Sequence, residues 1–476
     1  MKHLLISLYL GFVLFASCQN RNSKDSSQGG KFNEILPQIN MIQTRLHTSS
    51  NFVIGQTSHG PVFVVQGDYF ENQKKSASIE AYNPQGKPLW NNQKQSDQHD
   101  FGAGAYVHWV DKSGLNHPVV TYSYVPKPKE MKGGVVFVNA NDGSTIHELS
   151  NNAHFGNNNS LLFDFNKDGL TDYLYADLAT ISAIQLSNFQ KEWTFQDGVR
   201  FCWSLPALFE LKHDQNPIIY FGSEYDSNDG LSSFLAIDLK GNRIWKSSGH
   251  VEDLGSTPVF IADIDGDGTK EILKVGLDLE HHNKQKWNHM YVFNTDGELI
   301  SKCELGFTGI AIGDVDGDGR LEGVGISNTR DGGLNGLKEI RCIELSTGKL
   351  EWSVPVERAY LDCNSPVMAD INDDGYLEAI VGTGNPAGYG RLPNSEPWGD
   401  IYVVSHQGEI LKRQELMGRP VNMGICDYNQ DGISEFIVVV DGKPGWINIY
   451  STKAKAKQID WPVPFGNAER SGTHSY

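Results

Sequence analysis

The stretch DIDGDGTKE, Asp263–Glu271, puts four carboxylates and two glycines into nine residues. It recurs as DFNKDGLTD (Asp164–Asp172), DVDGDGRLE (Asp314–Glu322), DINDDGYLE (Asp370–Glu378) and DYNQDGISE (Asp427–Glu435). The five starts are 99, 51, 56 and 57 residues apart. The first gap is about double the others, so a copy without its acids belongs near position 210. LPALFELKHDQNPIIYFGS (Leu205–Ser223) stands there, and AYVHWVDKSGLNHPVVTYS (Ala105–Ser123) reads as an earlier one.

A second element alternates with the first: two β-rich runs around a turn, which reads as a hairpin. Eight copies start at Ile79, Val135, Ile181, Phe234, Met290, Ile340, Ile401 and Ile447. Four strands in about 50 residues is the size of a propeller blade. The expected fold is all-β, a single β-propeller of eight four-stranded blades, or of seven if a terminal unit only completes another blade.

The acidic loops have the composition of calcium ligands, since calcium takes six to eight hard oxygens. Positions 1, 3, 5 and 9 give Asp263, Asp265, Asp267 and Glu271, and equivalently Asp314, Asp316, Asp318 and Glu322. In the other copies they are Asp164, Asn166, Asp168 and Asp172; Asp370, Asn372, Asp374 and Glu378; and Asp427, Asn429, Asp431 and Glu435. Glycine at position 6 permits the sharp turn. An EF-hand would need a bidentate Glu at position 12, where Lys274, Tyr175, Gly325, Val381 and Val438 stand, and flanking helices where the sequence reads as strand. Up to five structural Ca²⁺ ions in strand–loop–strand clamps are therefore expected. They would move the formal charge of −18 to about −8. Carboxylates around one cation stay ionised, which makes them poor general acids. The acidic balance also argues against nucleic acid as a partner.

With these residues in view, the repeats resemble the FG-GAP or VCBS-type repeats of integrin-like propellers. The hairpins AIDLKGNRIW and CIELSTGKLEW resemble the blades of quinoprotein-like propellers. The closing WPVPFGNAERSG is similar to a terminal segment of that group. The resemblance implies the propeller fold and the calcium clamps over roughly residues 45–470, and leaves activity open because such folds host many functions.

The N-terminus carries Lys2, an apolar run Leu4–Phe15 and small residues before Cys18, which reads as a signal peptide over residues 1–17. FASC resembles a bacterial lipobox, and the resemblance implies lipidation of Cys18. Residues 18–40, polar and Ser/Gly-rich, read as a tether, and 41–476 as the propeller. Gln19 after the lipidated cysteine favours the outer membrane, reached only through the anchor, and a monomer is expected. Five further cysteines form no CxxC pair, which argues against zinc or redox motifs.

If the acidic loops join strands 1 and 2, the 2–3 and 4–1 loops share the opposite face. These loops are rich in His, Arg, Lys and Tyr: the 2–3 set includes DLEHHNKQKWNH with His281, His282 and His289, and SEYDSNDG with Tyr225; the 4–1 set includes His154, Arg200 and His250. The three histidines have no carboxylate or Cys at a diagnostic spacing for zinc. A cationic, aromatic face on an acidic protein suits an anionic polysaccharide. No nucleophile elbow, P-loop or dinucleotide fingerprint is present.

The repeat type is similar to that of propeller polysaccharide lyases acting on rhamnogalacturonan and ulvan. β-Elimination needs a donor to neutralise the uronate carboxylate, a base for the C5 proton and an acid for the leaving oxygen. Arg200 is the candidate neutraliser, and His154, Tyr225, His250 and His281 are candidates for base and acid. The alternatives are a surface lipoprotein that binds glycan or protein without chemistry, and an envelope scaffold.

Overall fold

A computed structural model describes the chain over residues 35–461. Left out of the description are the segments 96–106, 128–131, 152–159, 201–205, 210–216, 277–288, 305–308, 328–338, 357–365 and 386–397, together with some stretches of one to four residues. His154, His281 and Cys18 lie outside the described residues.

Eight antiparallel four-stranded blades form a ring, one of them extended by a fifth strand, and the described residues contain no helix. Blades 1 to 7 run from Thr48 to Gln95, His108 to Asn151, Ser160 to Phe195, Ala207 to His250, Val259 to Glu304, Ala311 to Pro355 and Val367 to Leu416. The units without acids around His108 and position 210 are indeed blade-opening strand pairs, His108–Val110 with Val119–Lys127 and Ala207–Phe209 with Ile218–Gly222.

Blade 8 corrects one reading of the sequence. Trp446–Lys455 is its third strand, but the chain does not turn back into a fourth. The outermost position is filled from the other end of the chain by Gln38–Gln43, antiparallel to Trp446–Lys455. Residues 38–40, read as tether, thus belong to a strand, and Leu36 ahead of them is 4% exposed. Lys412 of blade 7 donates to the carbonyls of Ile35 and Leu36 at 2.8 and 2.6 Å, which holds this entry segment. The remainder of the supposed hairpin, Ile459–Trp461, pairs instead with the inner strand of blade 7, Val367–Ala369. Pairing Gln38–Gln43 with Trp446–Lys455 in one sheet closes the ring, and a closed ring leaves no pair of blades unsealed.

The core is the set of interfaces between blades. Val64 and Ile79 of blade 1 pack with Val120 and Val136 of blade 2, and Ile437 and Ile447 of blade 8 pack with Phe63 and Tyr82 of blade 1. Shared apolar clusters join every other neighbouring pair as well. Sandwiching explains the strand patterns. Middle strands such as Glu271–Gly276 and Ser232–Ile237 are buried throughout, whereas the outer strand Leu299–Glu304 is almost wholly exposed.

The outer strands are fastened by tryptophans. Trp90 donates its indole N–H to Ala140 O at 2.8 Å, and Trp245 donates to Thr295 O at 3.0 Å, each on the hairpin turn of the next blade. Gly297 in that turn has φ +83°, and a Cβ there would lie 2.5 Å from the Trp245 ring. Trp193 and Trp352 pack their rings against Gly241 and Gly408 without the indole hydrogen bond.

Candidate functional site

The five acidic loops all join strands 1 and 2 of their blades, so they share one face of the ring. Their geometry repeats. In each, Oδ2 of the first Asp accepts the N–H of the glycine at position 6, at 2.8–3.0 Å. In each, Oδ1 of the Asp at position 5 accepts the N–H of position 7, at 2.6–2.9 Å. Position 6 is in a left-handed conformation throughout, with φ from +86° to +90°. Position 4 is left-handed too, even where it is Lys167, Asp373 or Gln430. The loop is thus held by its own carboxylates, and glycine at position 4 is dispensable.

The carboxylate at position 9 is buried under the loop. Asp172, Glu271, Glu322 and Glu378 each accept the N–H of position 2 at 2.8–3.1 Å. Burial, reinforced by neighbouring carboxylates, pushes Asp172, Glu271 and Glu435 up to about 7 and Glu322 and Glu378 up to about 8. Asp263, Asp265 and Glu271 offer oxygens within 4.8 Å of one another, as do Asp314, Asp316 and Glu322. Asp314 Oδ1, Asn372 Oδ1 and Glu435 Oε2 are buried without a hydrogen-bond partner. Buried oxygens of this kind are costly unless something compensates them. An all-oxygen set with orphaned members fits a hard divalent cation. In blades 7 and 8 the amide at position 3 answers part of the crowding, since Asn372 and Asn429 donate to Glu378 and Glu435 at 2.8 and 3.1 Å.

The opposite face carries the other candidates. Val199–Arg200 leaves the outer strand of blade 3 in a 4–1 connection, and Tyr225–Asp226 lies in the 2–3 connection of blade 4. These two segments pair antiparallel as a two-stranded sheet, with Arg200 directly opposite Tyr225. His250 ends the outer strand of blade 4, opposite Ser232, at the same edge. Its Nε2 is 3.1 Å from Ser247 Oγ, and its ring meets Tyr291 and Phe293 edge-on at 5.4 and 5.7 Å. Burial, then the Lys302 charge, holds the imidazole below its ordinary range.

Around Tyr291 lies a cluster that the spacing of the sequence does not reveal. Glu252, 6% exposed, follows blade 4, while His289, Tyr291 and Lys302 belong to blade 5. Glu252 Oε1 lies 2.8 Å from His289 Nδ1 and 3.0 Å from Lys302 Nζ, and Lys302 donates to the Tyr291 hydroxyl at 2.8 Å. The members are 37 and 50 residues from Glu252, so only the packing of blade 5 on blade 4 assembles them. Cys303, Cys342 and Cys426 are free thiols.

No family model matches the sequence, for the FG-GAP or VCBS repeats or any other, and no curated protein matches it. Solved structures do. A europium-containing methanol dehydrogenase aligns over 87% of this chain and 93% of its own, at 10% identity and a TM-score of 0.55. The rhamnogalacturonan lyase YesW aligns over 88% and 92%, at 13% identity and a TM-score of 0.45. The quinohemoprotein alcohol dehydrogenase from Comamonas testosteroni aligns over 91% and 79%, at 11% identity and a TM-score of 0.47. Lyases and dehydrogenases thus stand together among the neighbours, and at these identities the likeness is one of fold. The chain is an eight-bladed β-propeller.

Proposed function

We propose that the chain is a calcium-stabilised propeller, anchored at Cys18 to the bacterial outer membrane, that cleaves a uronic-acid-containing polysaccharide by β-elimination at the face opposite its acidic loops. The observation that carries this reading is the pairing of Arg200 with Tyr225 on that face, beside the end of the His250 strand. Two connections from different blades bring an arginine and a tyrosine to one register position.

A uronate carboxylate bound by Arg200 would have its charge neutralised, which makes the C5 proton removable. A base then takes that proton. The C5–H electron pair becomes the C4–C5 double bond, and the C4–O bond breaks. The departing oxygen takes a proton from an acid, a role open to Tyr225. Calcium, held by the residues at positions 1, 3, 5 and 9 of the five loops, would supply structure. It stabilises the folded ring by mass action and takes no part in proton transfer.

The test is the ultraviolet absorbance of the unsaturated uronate while the protein lacking residues 1–18 is incubated with calcium and a panel of uronic-acid polymers. Absorbance that rises with wild type and is lost on the order of 100-fold in Arg200→Ala supports the lyase. No rise on any polymer, with retained glycan affinity, replaces it with a non-catalytic binder.

A further inference from the structure

The cluster at the seam of blades 4 and 5 contains a buried carboxylate holding a partly exposed imidazole. Glu252 is 8% exposed at its side chain and His289 is 32% exposed. Their contact is Oε1 to Nδ1, at 2.8 Å. Lys302 shares the same oxygen, so Oε2 is left buried with no hydrogen bond. Among the described residues, His289 Nε2 has no partner.

The seat for this carboxylate is built into the backbone. Gly276 is the cross-strand partner of His289. A Cβ on it would lie 2.4 Å from Glu252 Oε2 and 2.7 Å from the Tyr291 ring. Glycine is therefore the residue that lets Glu252 reach under the histidine. His289 heads the third strand of blade 5, directly after its 2–3 connection, so it lies on the face that carries Arg200 and Tyr225.

We propose that Glu252 and His289 form a dyad in which the carboxylate fixes the Nδ1–H tautomer and leaves Nε2 as the proton acceptor of this face. A carboxylate on one ring nitrogen orients the imidazole and stabilises the imidazolium formed when the other nitrogen takes a proton. This deepens the lyase reading and rests on it for the substrate: Nε2 accepts the uronate C5 proton, and Glu252 balances the resulting charge. Glu252 is a positioning residue. Among the described residues, Lys302, Tyr291 and His250 are the other titratable groups facing the pair, and the lysine donates directly to Glu252. His250 suits the base role less well, because its Nε2 is engaged by Ser247.

The tautomer is read without substrate, by ¹⁵N chemical shifts of the histidine rings above the titration. The expected result is a neutral His289 protonated at Nδ1, with that preference lost in Glu252→Gln and in Gly276→Ala. A neutral His289 protonated at Nε2, or a preference unaltered by both variants, overturns the dyad. Turnover reads the second half. With an active polymer, His289→Ala should lower kcat by about 100-fold with KM within about twofold, within the range for a general base. Glu252→Gln should lower kcat with KM within about twofold, because the ring loses the partner that sets its tautomer. An unchanged kcat in His289→Ala overturns the catalytic role. If no polymer is turned over, the lyase reading fails, and the tautomer alone decides the dyad.

Discussion

The two faces of the ring are built on opposite principles. On the face of the acidic loops, five loops from five blades repeat the same turn with hydrogen bonds agreeing to within a few tenths of an ångström. Each loop is organised by residues within nine positions of one another. On the other face, the backbone of Arg200 pairs with that of Tyr225 from a different blade, and Glu252 meets His289 and Lys302 across a seam. The first kind of site is local and can be copied with its blade. The second kind is made once, by one pair of neighbours, which is why a repeat protein can vary its chemistry without disturbing its frame.

This contrast should separate stability from activity. The largest effect expected is calcium removal. A site held at a hundred times its Kd contributes about 2.7 kcal/mol, and up to five sites share the ring. Thermal unfolding in chelator should show a Tm many degrees below that in calcium, and equal values would break the clamp reading. The pH dependence has a definite sign. The position-9 carboxylates sit at about 7 to 8 in the folded chain, against about 4 for unfolded carboxylates. Their contribution in chelator is therefore fully present below about pH 4 and is lost as pH rises through 7 to 8. Saturating calcium should flatten that slope.

Trp245→Ala comes next, at about 3 kcal/mol in denaturant unfolding, because it removes the fastening of blade 4 onto the turn at Gly297. Arg200→Ala should cost about as much in transition-state stabilisation, roughly 100-fold in kcat/KM, while leaving Tm within a degree or two. A large loss of Tm there would blur the division between the faces. The smallest effect is Gly268→Ala, about 1–2 kcal/mol for an alanine forced to φ +86°, with turnover unchanged.

Legibility in the sequence followed the same division. The acidic loops and the hairpins announce themselves because each is closed by residues a few positions apart, and their spacing places the blades, even two of the three without acids. The tryptophan fasteners were not read from the sequence: Trp245 ends the hairpin AIDLKGNRIW, but the glycine it packs against lies in the following blade. The unit beginning at Ile447 misled for a related reason. Its β-rich pattern is real, but hairpin patterning cannot tell whether a strand's partner is the next segment or the far end of the chain. Glu252 gave no signal, because a single Glu in SGHVEDLGS has no spacing to recommend it.

The sequence by itself determined the repeat, the blade and the acidic turns, because side chains and backbone amides within nine residues of one another set that geometry locally. Only the tertiary structure decided how the ring closes, through Gln38–Gln43 on blade 8, and which charged groups meet across the seams. Those contacts depend on the packing of one buried sheet against the next, and no local pattern encodes which residue a neighbouring blade will bring.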